Sequence, residues 1–154
     1  MIIKNSEELI SSGLRATAVG LIEAGISRVL PANLMCTAVK YSAVKKLLTV
    51  SGTTYNLAGG RVFVAGGGKA CGLMAEELEH IMGPGTITAG TVNCKTGGYK
   101  TEKVTVIEAG HPVPDEPGVS GVREMLAMKA RYQYARRYGI QVDGTRHIYR
   151  RSTN

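Results

Sequence analysis

The chain has 154 residues, 44% of them hydrophobic and 20% charged, with a formal net charge of +7. This length and balance favour one globular domain and exclude disordered and fibrous classes. Apolar stretches end well short of the roughly 20 residues that a membrane span needs, and residues 1–6 show no signal-peptide pattern, so we expect a cytoplasmic protein without a membrane partner. Three widely separated cysteines without a CxxC pair predict reduced thiols.

The amino-terminal region has the patterns of two helices. Asn5, followed three residues later by glutamate, is typical of a helix start, and apolar residues at helical spacing predict a helix over 6–23. Gly25 suits the left-handed turn that ends a helix. Pro31 suits the first turn of a second helix, which is expected to fade over 41–46.

The rest of the chain up to about residue 130 alternates strand and helix patterns. A short hairpin is predicted over 47–57. Strands are then predicted at 61–65, 87–92 and 104–109, and helices at 69–82 and 116–130. This alternation predicts an α/β fold, a Rossmann-like doubly wound and mainly parallel sheet in three layers.

Three glycines and a lysine stand where a buried strand is predicted to turn into a helix: Gly66, Gly67, Gly68 and Lys69. Glycine lets the backbone approach a ligand closely, and the helix start offers N–H donors and the positive end of its dipole. Lys69 adds a full positive charge. The pattern therefore favours a phosphate or carboxylate site, although a tight turn beside a solvated lysine explains it equally well.

Two better-known glycine motifs are excluded at this position. A Walker A loop requires glycine where Phe63 stands and a hydroxyl residue where Ala70 stands. The dinucleotide fingerprint requires glycine in place of Cys71, and no acidic residue closes the strand ending near 91–93. Neither a P-loop nor an NAD site is therefore predicted.

A second candidate segment, at residues 108–116, reads EAGHPVPDE and follows a predicted strand. Its two prolines predict a stiff, extended path. That path would hold His111 or Asp115 at the same edge of the sheet as Lys69, although Asp115 also suits a helix cap and His111 a packing role. The histidines have no ligand spacing, so no protein-only metal site is predicted.

Taken together, these segments resemble the type 2 glycerate kinases, a family also described as hydroxypyruvate reductases. The resemblance rests on EAGI at 23–26, GGGKA at 66–70 and EAGHPVPDE at 108–116, and it covers about residues 1–128. It implies ATP-dependent phosphorylation of D-glycerate at the 2-hydroxyl with Mg2+. The reaction would take place in a cleft between a Rossmann-like domain and a second, carboxyl-terminal domain.

The same resemblance assigns roles to individual residues. Lys69 matches the lysine regarded as essential in the family, and Gly66, Gly67 and Gly68 would bring backbone amides to the same anion. Sequence for the second domain is absent, so we expect a truncated kinase that is inactive alone and whose exposed apolar surface favours homo-oligomers. A nicotinamide-linked hydroxypyruvate reductase is the alternative enzyme.

Residues 129–154 differ sharply from the rest of the chain. They hold seven basic residues against Asp143 alone, whereas residues 1–128 hold 12 basic and 11 acidic residues. Arginine interleaved with tyrosine is compatible with binding of single-stranded nucleic acid. We favour a frameshifted or truncated origin for this basic tail, because it replaces the sequence that the family resemblance leads us to expect.

Overall fold

The computed structural model describes residues 2–131, 137–141 and 148–150. The helices within these ranges are α1 (Ser6–Leu9), α2 (Gly13–Val29), α3 (Pro31–Ala38), α4 (Cys71–Met82) and α5 (Glu116–Arg131). The strands are β1 (Val39–Ser42), β2 (Leu47–Val50), β3 (Thr53–Asn56), β4 (Arg61–Gly67), β5 (Ile87–Cys94), β6 (Val104–Glu108), β7 (Arg137–Gln141) and β8 (Ile148–Arg150).

The single helix predicted over 6–23 is wrong, because the chain breaks between α1 and α2. The Ser12 side chain accepts a hydrogen bond from the Arg15 amide and so caps a new helix. Asn5 precedes α1 as predicted, but its side chain makes no capping hydrogen bond. A serine cap in mid-pattern therefore outweighs continuous apolar spacing.

The two following helix ends also differ from the prediction. Helix α2 continues through Gly25, and it stops where Leu30 adopts an extended backbone (ψ 139°) before Pro31. A residue that precedes proline is driven out of the helical region by steric conflict with the ring. Helix α3 ends ahead of the range 41–46, because Val39 already pairs in strand β1.

A small antiparallel sheet, in the order β1-β2-β3, packs over helices α3 and α4. The predicted hairpin is confirmed as β2 and β3, with Leu48 opposite Tyr55. Strand β1 was not predicted, and it pairs with β2 so that Tyr41 lies opposite Leu48. Leu48 is only 1% exposed, so the centre of this sheet belongs to the core.

The larger sheet has the order β6-β5-β4-β7-β8, parallel except for the last pair. Strand β4 lies at its centre, and its residues Val62, Phe63 and Val64 are all buried, as expected for a strand covered on both faces. The predicted α/β fold with a mainly parallel sheet is confirmed.

Helices cover both faces of the larger sheet. The side chain of Asn93 in β5 contacts Gly118 of α5, whereas that of the next residue, Cys94, contacts the Lys69 carbonyl just before α4. Neighbouring residues of a strand point to opposite faces. Helix, sheet and helix therefore form the predicted three layers, and the small sheet packs on the outside of α4.

A buried carboxylate in α4 anchors the chain as it enters β6. Glu79 is 6% exposed, and it accepts hydrogen bonds from three successive backbone amides, those of Glu102 (2.6 Å), Lys103 (2.8 Å) and Val104 (2.7 Å). Hydrogen bonds to a charged acceptor are stronger than neutral ones, and buried donors left without an acceptor are costly.

Replacing Glu79 with alanine is therefore expected to lower the free energy of unfolding by about 3 kcal/mol, since three amides lose their acceptor. Urea unfolding followed by circular dichroism measures this loss. Glu124→Ala, at an exposed position of α5, is the matched control and should change stability by less than about 0.5 kcal/mol. Equal effects of the two substitutions would show that Glu79 is not an anchor.

Helix α2 buries none of its side chains and exposes several large apolar residues, Leu14, Leu21, Ile22 and Val29 among them. Across the described part of the chain, no single helix is long and apolar enough to cross a membrane. The bent pair of α2 and α3 together has sufficient length and apolar composition, and these are the only criteria that it meets. The expected self-association stays a prediction.

The basic tail is described only in part. Its strands β7 and β8 lie at one side of the larger sheet, with β7 parallel to β4 and β8 antiparallel to β7. The tail residues 132–136, 142–147 and 151–154 lie outside the described residues. The boundary near residue 128, the origin of the tail and nucleic-acid binding through it remain predictions.

Candidate functional site

A cleft of about 480 Å³ opens at the carboxyl ends of β4, β5 and β6. In open α/β sheets this is the edge at which ligands bind. The cleft brings together the predicted Lys69, His111 and Asp115. Its lining consists of Gly68, Lys69, Asn93, Cys94, Lys95, Ala109, Gly110, His111, Pro112, Pro114, Asp115, Gly118, Val119, Val122 and Arg123.

The three glycines do not all belong to a loop. Gly66 and Gly67 are the last residues of β4 and lie opposite Val92 and Asn93 of β5. Gly68 lines the cleft with a positive φ of 143°, and its amide donates to the Asn93 carbonyl at 3.1 Å. These three glycines are thus engaged with β5, and the positive charge that this segment brings to the cleft is that of Lys69.

Helix α4 begins two residues after Lys69, at Cys71. The first helical hydrogen bond runs from the Met74 amide to the Ala70 carbonyl, so the preceding amides of the first turn have no acceptor inside the helix. The Cys71 amide among them donates to the Gly68 carbonyl at 3.1 Å, so the favourable field for a negative charge near Lys69 comes mainly from the helix dipole. The predicted helix is confirmed, with its start two residues later, at Cys71.

Cys94 and Tyr99 contact the backbone carbonyls of the two lysines that line the cleft, Lys69 and Lys95. The Cys94 thiol lies 2.9 Å from the Tyr99 hydroxyl and 3.3 Å from the Lys69 carbonyl, and the Tyr99 hydroxyl donates to the Lys95 carbonyl at 2.8 Å. Burial, followed by the bond to Cys94, raises the pKa of Tyr99 to about 12. The hydroxyl therefore stays protonated, and the ring packs where a side chain on Gly72 would overlap it.

The EAGHPVPDE segment turns back on itself. Asp115 accepts from the Gly110 amide at 2.7 Å through Oδ2 and from the Gly118 amide at 3.1 Å through Oδ1. The predicted extended path is wrong, because this carboxylate closes the loop, while the predicted capping role is confirmed. A side chain on Gly110 would come within 2.6 Å of the Val113 carbonyl oxygen. The closed loop presents His111 at the rim of the cleft.

Asn93 joins the sheet to α5, a role that the sequence did not reveal. Its Nδ2 donates to the Gly118 carbonyl at 2.7 Å, and its Oδ1 is buried without a hydrogen-bond partner among the described residues. The side chain fills the space beside Gly121, where an added Cβ would overlap Oδ1. The only sequence signal for Asn93 is its position at the end of a predicted strand.

The cleft carries a net positive charge that the sequence revealed only at Lys69. Lys95 follows the end of β5 as Lys69 follows β4, and Arg123 contributes from α5. Among the described residues that line the cleft, the one carboxylate is Asp115, and it already accepts hydrogen bonds from two backbone amides. Three cations around one concave surface favour an anionic ligand.

Glu108, at the end of β6, holds the loop that follows β5. Its Oε1 accepts from the Gly97 and Gly98 amides, each at 2.9 Å. These two hydrogen bonds, that from Gly97 first, lower the pKa of Glu108. A lowered folded-state pKa means that the carboxylate stabilises the loop above its unfolded pKa, and that this contribution disappears as pH falls through the folded pKa.

We expect the amide resonances of Gly97 and Gly98 to titrate together in acid, with a midpoint below the ordinary glutamate pKa. NMR spectra recorded across pH measure this midpoint. Glu108→Gln should abolish the transition, whereas Glu124→Gln, at an exposed site in α5, should leave it unchanged. A transition that survives Glu108→Gln would assign the titration to another group.

In the ranges that the structure describes, no group of three or more His, Cys, Asp and Glu side chains could hold a metal ion. Asp115 is a carboxylate that lines the cleft and could bind a metal ion, but both of its oxygens accept backbone hydrogen bonds. A magnesium ion at this wall of the cleft would therefore be held mainly by phosphate groups of a ligand and by water.

An open, mainly parallel sheet with helices on both faces and a cleft at its strand ends defines a Rossmann-like α/β protein. Residues 17–136 match the family described as "Domain of unknown function (DUF4147)", and the chain belongs to this family. The resemblance to type 2 glycerate kinases is confirmed by a relative of known activity. The glycerate 2-kinase of Pyrococcus horikoshii is 32% identical over 121 residues.

Two solved structures are similar as well. A protein from Pyrococcus horikoshii superposes with a TM-score of 0.66 at 31% identity over 80% of this chain and 27% of that one. A glycerate kinase from Thermotoga maritima gives a TM-score of 0.52 at 27% identity over 75% and 24% of the two chains. The match to the curated relative covers 78% of this chain and 26% of that protein, so the chain spans about a quarter of its relatives' length.

Proposed function

We propose that the chain provides one wall of the active-site cleft of an ATP-dependent kinase that phosphorylates D-glycerate at its 2-hydroxyl. The observation that carries this proposal is the position of Lys69, in a cleft at the strand ends beside Lys95 and Arg123. Similarity to two glycerate kinases supports the kinase class. The proposal also places the enzyme in the cytoplasm, without a membrane or nucleic-acid partner.

In this proposal Lys69 neutralises negative charge on the transferring phosphoryl group. Phosphoryl transfer depends mainly on positioning and on electrostatic stabilisation, so a fixed cation at the reacting group is worth several powers of ten in rate. The hydrogen bonds of Cys94 to Lys69 and of Tyr99 to Lys95 hold the backbone from which both cations extend. Asp115 contributes by closing the loop that carries His111.

The residues of the cleft fit the phosphates of ATP. Lys69 and Lys95 line the cleft, and ammonium groups of this kind bind phosphate oxygens. Mg2+, when bound, would neutralise charge between neighbouring phosphates. Asp115 is the carboxylate available on this wall, and its oxygens already accept two amide hydrogen bonds. Further groups around the nucleotide would come from a region equivalent to the part of the relatives that this chain does not match.

A chimera tests the proposal. Residues 1–128 of this chain replace the equivalent region of the Pyrococcus glycerate 2-kinase, and the product formed from ATP, Mg2+ and D-glycerate is identified by 31P NMR. We expect glycerate 2-phosphate from the chimera and none from this chain by itself. A folded chimera that forms glycerate 3-phosphate, or no phosphoglycerate, would contradict the proposal.

A further inference from the structure

Arg123 is a cation of the cleft that forms an ion pair. Its Nη1 lies 2.9 Å from Oε1 of Glu116, seven residues earlier on the same face of α5. Arg123 lines the cleft, whereas Glu116 is outside its lining. The ion pair therefore links a cation of the cleft to an acceptor outside the lining of the cleft.

This ion pair is easily broken. The Arg123 and Glu116 side chains are 70% and 75% exposed, and ion pairs in such contact with water contribute little to stability. Glu116 is the acidic residue in the first turn of α5, where the helix dipole stabilises its charge without an arginine. Arg123 can therefore exchange this carboxylate for another at small cost.

The chemistry of the side chain indicates which ligand group replaces Glu116. A guanidinium presents a planar fork of donors that matches the two oxygens of a carboxylate, as it already does in part with Glu116. Lys69 and Lys95 approach the cleft from the strand ends, whereas Arg123 approaches it from α5. Two kinds of cation on two walls suit a ligand with two different ends.

We propose that Arg123 is the specificity residue that recognises the carboxylate of the acceptor substrate, and that Glu116 holds it in place until that substrate binds. This inference rests on the proposed function, because it assumes a hydroxy acid as the acceptor. Substrate binding exchanges the Glu116 carboxylate for the substrate carboxylate, while Lys69 remains at the phosphoryl group. The substrate class is a small 2-hydroxy carboxylate, and the uncharged amide of the same compound is excluded.

Titration calorimetry of the chain at low salt, with D-glycerate and D-glyceramide as probes, tests the inference. The unmodified chain should bind glycerate at least about tenfold more tightly than glyceramide, a difference of about 1.4 kcal/mol. Arg123→Gln should remove this preference. Glu116→Gln should strengthen glycerate binding about twofold to threefold, because the competing carboxylate is gone. The matched control is Arg131→Gln, which removes the same charge from the last turn of α5.

Equal glycerate affinity in Arg123→Gln and Arg131→Gln would overturn the inference, and so would an unmodified chain without preference for glycerate over its amide. Weaker binding in Glu116→Gln would also overturn the proposed competition. Failure of the kinase proposal looks different, since it appears as a chimera that forms no glycerate 2-phosphate while the Arg123-dependent preference persists. Both side chains are exposed, so neither substitution should disturb folding.

Discussion

Lys69→Ala in the active chimera is expected to lower kcat/KM for glycerate phosphorylation by about 100-fold or more. The estimate follows from the loss of one fixed charge at the reacting group, worth about 3 kcal/mol in comparable sites. Lys69 is exposed and its side chain is not part of the core, so the free energy of unfolding should stay the same. A coupled assay for ADP measures the rate, and urea unfolding measures the stability.

Lys45→Ala is the matched control for this experiment. It removes the same charge from an exposed position between β1 and β2, outside the lining of the cleft. The control should retain activity within about twofold, because distant surface charges are largely screened by salt. If both variants lose the same fraction of activity, Lys69 acts through overall charge and has no place at the reacting group.

Gly121→Ala is expected to destabilise the fold by about 2–3 kcal/mol. The added Cβ would overlap Oδ1 of Asn93, so either α5 must move away from β5 or Asn93 must rotate and lose its hydrogen bond to Gly118. Either change weakens the attachment of α5 to β5 near the loop that Asp115 closes. Urea unfolding should report the loss of stability, and binding of D-glycerate should weaken in parallel.

A double substitution separates this steric conflict from other effects of alanine. Asn93→Ala removes the obstructing side chain, so Gly121→Ala should cost much less in that background than in the unmodified chain. Gly25→Ala is the helix control, because a Cβ there meets nothing within 4 Å, and it should stabilise the protein by about 0.5–1 kcal/mol. Additive effects of the Asn93 and Gly121 substitutions would contradict the packing of this joint.

Local sequence was a reliable guide where a segment's structure depends on its own residues. The strand at 61–65 was predicted from a β-rich run, and α4 from apolar residues at helical spacing. Local sequence was an unreliable guide where the structure of a segment depends on a partner that is distant along the chain. Strand β1 depends on pairing with β2, and Gly66 and Gly67 continue β4 because β5 lies alongside. A run of glycines alone does not indicate whether it ends a strand or extends it.

The candidate site was predictable to the same extent. Lys69 was found because it follows a strand and opens a helix, and the capping role of Asp115 because it precedes one. Lys95 and Arg123 were missed, since only the folded sheet and α5 bring them to the cleft. Asn93 was missed because its role depends on Gly121, 28 positions away and without a side chain.

The proposed function requires that an anionic substrate binds in the cleft at the carboxyl ends of β4, β5 and β6. Titration of the 15N-labelled chain with D-glycerate, followed by NMR, tests it most directly. Saturable shifts are predicted for the backbone amides of Lys69, Lys95 and His111, which line that cleft. Shifts confined to the exposed helix α2, or no saturable shift at any amide, would contradict the claim.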